Sequence, residues 1–190
     1  MSTQPKTLLT EEQYLEIERS AESKSEFFEG EMFAMAGAAA SHNRLVWNII
    51  VEFGPLLRSG PCQGFPSDMR VRVSSSGLYT YPDVVVVCGE PQFLDDRRDT
   101  LLNPTLIVEV LCPSTEAYDR GRKFEHYASI PSLSEYLLVA SDRIHLDLYA
   151  RQTTGQWLLT SANGPDGALD LVSAGCRLTT PALYRDVAIG

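Results

Sequence analysis

Apolar residues along this chain follow two spacings, and the switches between them mark the elements. From 41 to about 58, Leu45, Val46, Ile49, Ile50, Phe53, Leu56 and Leu57 recur every three or four positions. That spacing lines one face of a helix. Ser41 stands where an N-cap belongs, and Gly60 with Pro61 supplies the stop. Thr10, Glu11, Glu12 and Gln13 have the form of a capping box, which predicts a short helix over 11–18. In "KSEFFEGEMFAMAG", apolar residues flank Glu29 and Gly30, which predicts a tight hairpin across about 25–36.

Strand patterns take over after Pro61. "FPSDMRVRV" and "LYTYPDVVVVCG", separated by the turn-rich "SSSG", predict two strands of an antiparallel pair. Val84 to Val87 is continuously β-branched, as in a central strand covered on both faces. "EPQFLDDRRDTLLN" is polar and reads as a mobile connection. A buried strand is expected over 105–111, then a helix over 115–129 with Ser114 and Thr115 available as caps. "SEYLLVA" and "RIHLDLYAR" are further strands, the second alternating at Ile144, Leu146 and Leu148. "GQWLLTSA" and "GALDLVSAG" predict peripheral strands, and "TPALYRDV" a last short helix with Pro181 in its first turn. With no repeat, linker or low-complexity segment, the order implies one α/β (α+β) domain over 1–190: a central mixed β-sheet flanked by helices.

Composition narrows the classes. The net charge of −9 opposes non-specific attraction of the whole surface to nucleic acid, yet permits a site that recruits a divalent cation. The four cysteines, Cys62, Cys88, Cys112 and Cys176, form no CxxC pair. That argues against structural zinc and a disulfide framework and for small core residues. No apolar run approaches the roughly 20 residues of a membrane helix. The N-terminus lacks a basic start followed by an apolar segment, so a cytoplasmic protein is expected.

One residue breaks the pattern. Glu109 sits inside the apolar run Leu106, Ile107, Val108, Val110, Leu111, where an unpaired charge is costly. Asp83 precedes the four valines of the neighbouring core strand. Two carboxylates converging there would repel, and a divalent cation would neutralise both. Alternatively, each caps a turn or pairs with an arginine. In the helix that follows, Asp119 and Lys123 are four apart and share a face, while Phe124, Tyr127 and Ala128 can face the core. Lys123 either projects toward Glu109 or lies on the surface paired with Asp119.

The succession "YPDVVVV", "LIVEVLCPST" and "YDRGRKFEHYASIPSLSEYLLV" resembles the Uma-type restriction-endonuclease-like family of the PD-(D/E)XK nuclease superfamily. "SEFFEGEM" is similar to that family's N-terminal hairpin and "SHNRLVWNI" to its following helix, so the likeness covers nearly the whole chain. It implies a metal-dependent endonuclease that hydrolyses phosphodiester bonds, with DNA as the default substrate and a homodimer as the working form. Asp83, Glu109 and the backbone carbonyl of Val110 would hold Mg2+ or Mn2+. Lys123 and Glu26 would complete the catalytic set, and His42, Arg120 and Arg122 would contact substrate. Asp68 ranks below these as a further carboxylate at the same sheet edge. The superfamily's lysine position, two after the glutamate, is Leu111 here, so the family's lysine would be Lys123 on the next helix. Leu111 and the acidic balance also favour a rival, a catalytically dormant nuclease fold serving as an interaction module. Hydrolysis of a small phosphorylated molecule is a third option.

Overall fold

The computed structural model describes residues 8–189. The first seven residues, which open the stretch searched for a leader, lie outside it, as does the side chain of Leu56. Helix α1 (Glu11–Glu18) starts at the expected box: Thr10 accepts from the Gln13 N–H at 3.2 Å, and the Gln13 side chain accepts from the Thr10 N–H at 2.9 Å. Strands β1 (Ser25–Phe28) and β2 (Glu31–Ala34) form the hairpin. Its turn residues Glu29 (φ 50°) and Gly30 (φ 84°) are both left-handed, as a two-residue turn matching strand twist requires.

Helix α2 (Ala40–Ser59) begins one residue before Ser41, so Ser41 is not its cap. Asn43 instead donates its amide to the carbonyls of Ala38 and Ala39, both at 3.1 Å. Leu45, Ile49 and Phe53 are buried as the periodicity predicts. Ile50 lies outside that stripe, beside exposed Trp47 and Val51.

The strands sort into two main sheets and a small hairpin. Strands β3 (Cys62–Pro66), β4 (Arg70–Val73), β5 (Leu78–Thr80), β6 (Val84–Cys88) and β7 (Thr100–Leu101) precede β8 (Leu106–Leu111). After it come β9 (Glu135–Ala140), β10 (His145–Arg151), β11 (Trp157–Asn163), β12 (Ala168–Leu171) and β13 (Cys176–Thr179). One sheet has the order β2-β1-β5-β4-β7, the other β11-β10-β9-β8-β6-β3, and β12 and β13 form a two-stranded sheet. Helix α5 (Thr180–Leu183) follows, with Pro181 in its first turn as expected.

Three expectations need correction. "LYTYPDVVVVCG" is two strands: β5 pairs with β4, but β6 joins the other sheet between β3 and β8. Pro82 lacks the N–H a continuous ladder would use, so the chain turns there and Asp83 sits on the seam between the sheets. The polar connection over 90–103 is held in place. It contains β7, and Arg19 grips Asp99 at 2.8 and 2.9 Å and Asp95 at 2.7 Å. Cys62 and Cys88 are joined by a disulfide, because the β3–β6 register sets them opposite one another.

Alternation along β6 and β8 divides the core. Val84, Val86, Leu106, Val108 and Val110 face the α2 layer, while Val85, Val87, Ile107 and Leu111 face the layer between the sheets. The parallel strands β8 and β9 are linked by α3 (Glu116–Tyr118), a π-helical turn (Asp119–Lys123) and α4 (Phe124–Ala128), which run as one rod. Thr115 precedes it without a side-chain capping bond. No helix among the described residues is long and apolar enough to cross a membrane.

The two faces of α2 should respond differently to truncation. Ile49→Ala is expected to lower stability by about 2–5 kcal/mol. Trp47→Ala, on the solvent side, should change it by no more than about 0.5 kcal/mol. Urea unfolding midpoints of the two variants check this.

Candidate active site

Glu109 shares the parity of Ile107 and Leu111, so its side chain enters the layer between the sheets. It is buried there, and Oε1 accepts the Tyr127 hydroxyl at 2.8 Å and faces Lys123 Nζ at 2.9 Å. Burial pushes the Glu109 carboxyl up to about 8; Lys123 opposes the rise, and Asp83 and Asp119 add to it. Lys123 is itself buried, which works against its charge. Glu109, Glu26 and Asp119 more than offset that cost and hold the ammonium well above its ordinary range. Lys123 Nζ lies 3.3 Å from Glu26 and 3.5 Å from Asp119.

The π-helical turn explains how a lysine that follows Arg120 and Arg122 comes to point inward. It begins at Asp119 and ends at Lys123, and both side chains are buried on the face toward Glu109. Tyr136 on β9 donates its hydroxyl to the Asp119 carbonyl at 3.1 Å, tying the turn to the sheet. Burial raises the Asp119 carboxyl too, again opposed by Lys123. On the hairpin side, Glu26 accepts the Thr80 hydroxyl and meets Lys123 with the same oxygen, Oε1.

Asp83 lies opposite Glu109 if the β6–β8 register, Val84 with Val108, is continued one step. Its Oδ2 accepts the Val110 N–H at 2.7 Å, and its Oδ1 lies 3.0 Å from His42 Nε2. His42 Nδ1 is 3.5 Å from Cys112 Sγ. A carboxylate only accepts, so Nε2 donates to Asp83 while Nδ1 faces the thiol. Burial pushes the Cys112 thiol up, with Asp83 and Asp119 adding to the effect.

Glu26, Glu109 and Lys123 therefore form one bonded cluster, and Asp83 with His42 and the Val110 N–H forms a second beside it, near enough for Asp83 to act on the Glu109 charge. Other candidates belong to neither. Arg120 turns to the opposite side of the rod, where Glu116 at 2.7 Å and Asp147 at 2.5 Å hold its guanidinium. Asp68 is 89% exposed and paired with Lys24, because the 66–69 turn carries it away from the seam. Arg122 is exposed, with its guanidinium 5.1 Å from the Phe28 ring centroid. Leu111 packs in the apolar layer, and the cation near Glu109 comes from the helix. Sequence reasoning placed Tyr127 in the core, where it is, but not its hydroxyl on Glu109. Thr80 carried no signal at all.

Among the described residues, no three Asp, Glu, His or Cys side chains gather as a metal cage. The donor set still fits a hard cation held by few protein ligands. Asp83 and Glu109 are opposed carboxylates, and magnesium keeps several waters when one or two carboxylates bind it. Lys123 faces three carboxylates, Glu26, Glu109 and Asp119, and Asp83 adds a fourth negative group near Glu109, so acidic groups outnumber the cation.

Comparisons with known proteins bear on the family and the fold. The Uma2 family, described as "Putative restriction endonuclease", matches residues 11–180. An uncharacterized protein of Synechocystis sp. is 38% identical over 182 residues, covering 95% of this chain and 93% of that protein. A second from the same organism is 39% identical over 163 residues, covering 86% and 92%. A crystal structure from Anabaena variabilis, described as a "putative nuclease belonging to DUF820", has a TM-score of 0.75 at 16% identity and covers 91% of this chain and 96% of its own. At that identity the likeness is one of fold.

Removing the buried cation should expose its role. In Lys123→Met, Glu109 and Asp119 lose the ammonium that opposes their upward shift. The folded state then holds more protons than the unfolded chain, so stability falls as pH rises. The expected loss is about 3–5 kcal/mol near neutral pH and smaller toward about pH 5. Denaturant titrations at the two pH values measure it.

Proposed function

The chain belongs to the Uma2 family of restriction-endonuclease-like proteins, and from that footing we propose that it is a metal-dependent nuclease hydrolysing phosphodiester bonds in DNA. The observation that carries this reading is the 2.9 Å contact between Lys123 and Glu109. It supplies, from the crossover helix, the cation that Leu111 cannot supply from the strand.

Asp83 and Glu109, with the Val110 carbonyl, are the groups that would hold Mg2+ or Mn2+. Such an ion supplies positive charge at the phosphate and a more acidic water. The chain's own residues do the rest. Lys123 stays protonated, so it serves as a fixed donor and not as a base: it orients water or offsets charge on a phosphoryl oxygen. Glu26 and Asp119 keep its ammonium in place. Tyr127 holds Glu109 by one oxygen, and His42 with the Val110 N–H fixes both oxygens of Asp83. The carboxylates thus need little rearrangement, which is the condition for electrostatic catalysis in a buried site.

Incubation with plasmid and oligonucleotides in magnesium or manganese tests the proposal. Wild type should cut, and Asp83→Ala should lower the rate by at least about 100-fold, the scale of losing a preorganised electrostatic group. Identical products from both proteins would sink the reading. Calorimetry should find manganese binding in wild type and none in Glu109→Ala. Absence of manganese binding in wild type would favour the dormant interaction module.

A further inference from the structure

Beside the lysine–carboxylate cluster, the hairpin and the crossover rod enclose a cavity of about 270 Å3, lined by Glu26, Phe28, Phe33, Leu78, Tyr118 and Arg122. Its construction follows from strand register. Glu26 pairs with Phe33 across the hairpin, so both side chains project from one face, and Phe28 joins them by alternation. From the rod, Tyr118 and Arg122 are one turn apart and close the opposite wall. Glu26 belongs to both the cavity and the Lys123 cluster, so the two are contiguous.

The lining is unusual for a surface so near a buried ionic site. Phe33 keeps 49% of its surface exposed and Tyr118 keeps 38%, although aromatic side chains gain most when covered. Among the described residues Arg122 has no carboxylate partner, whereas Arg120, two residues earlier, has two. Its guanidinium lies over the Phe28 ring and remains free to bond an anion. The cavity is also smaller than the roughly 300–1,000 Å3 of drug-sized pockets, which suits a single ring system.

Two aromatic walls, one unpaired guanidinium and an adjoining phosphate-cleaving site describe the surroundings of an unstacked nucleobase with its phosphate. A base inside a continuous duplex is stacked on both faces and cannot enter. On the strength of the nuclease reading above, we propose that this cavity is a nucleobase subsite. It receives one unpaired base beside the scissile phosphate, with Phe33 and Tyr118 against the ring and Arg122 on the phosphate. The substrate class is then single-stranded or locally unpaired DNA in preference to uninterrupted duplex.

Fluorescence anisotropy, with calcium in place of magnesium, tests this on three labelled probes. These are a single-stranded oligonucleotide, the same strand annealed into duplex, and the same strand with an abasic run. Wild type should bind the intact single strand most tightly. Phe33→Ala should weaken that binding by about 5- to 100-fold, the span of base–aromatic stacking, and leave the abasic probe unaffected. Phe33→Trp should restore it. Circular dichroism confirms that the Phe33 variants fold. Equal binding of all three probes, or no loss in Phe33→Ala, overturns the subsite. If that occurs while wild type still cuts plasmid and Asp83→Ala does not, the nuclease reading survives alone. If no probe binds and nothing is cut, both fall.

Discussion

A carboxylate buried in the middle of an apolar strand would unsettle this fold without a cation beside it. Lys123 is that cation, 2.9 Å from Glu109, and both side chains are almost fully covered. Neighbouring elements are arranged around the pair. The rod adopts a π-helical turn between Asp119 and Lys123, Tyr136 ties that turn to β9, Tyr127 shares the Glu109 oxygen, and Glu26 reaches in from the hairpin. A buried ion pair is weak evidence for stability, because desolvation consumes most of its attraction and apolar replacements often serve as well. Here three carboxylates surround a single ammonium in the layer between the sheets.

The second organising feature is the break at Pro82. It ends one sheet and starts the other, which leaves Asp83 on the seam, opposite Glu109 and within reach of the first turn of α2. The site therefore draws on the hairpin, the α2 start, the β6 and β8 strands and the crossover rod. Each forms for a local reason: a left-handed turn pair, an apolar helical stripe, β-branched runs. The exposed aromatic wall and Arg122 adjoin the same cluster through Glu26.

The sequence by itself determined the local elements and the identity of the central groups. Helical spacing predicted α2, a capping box predicted α1, Glu29 and Gly30 predicted the hairpin, and alternation predicted β10. The out-of-pattern Glu109 called for a partner, and spacing alone left Lys123 either facing it or on the surface; the fold sets the two 2.9 Å apart. Only the tertiary structure decided which sheet each strand joined, because Val84 to Val87 is apolar on both faces and fits either neighbour. The same limit hid the Cys62–Cys88 bond, which depends on a register between strands 26 residues apart in the chain. It also hid the π-helical turn, which separates inward Lys123 from outward Arg120 on a helix whose spacing looks ordinary. Periodicity reports which face of a segment is covered; long-range packing alone chooses what covers it.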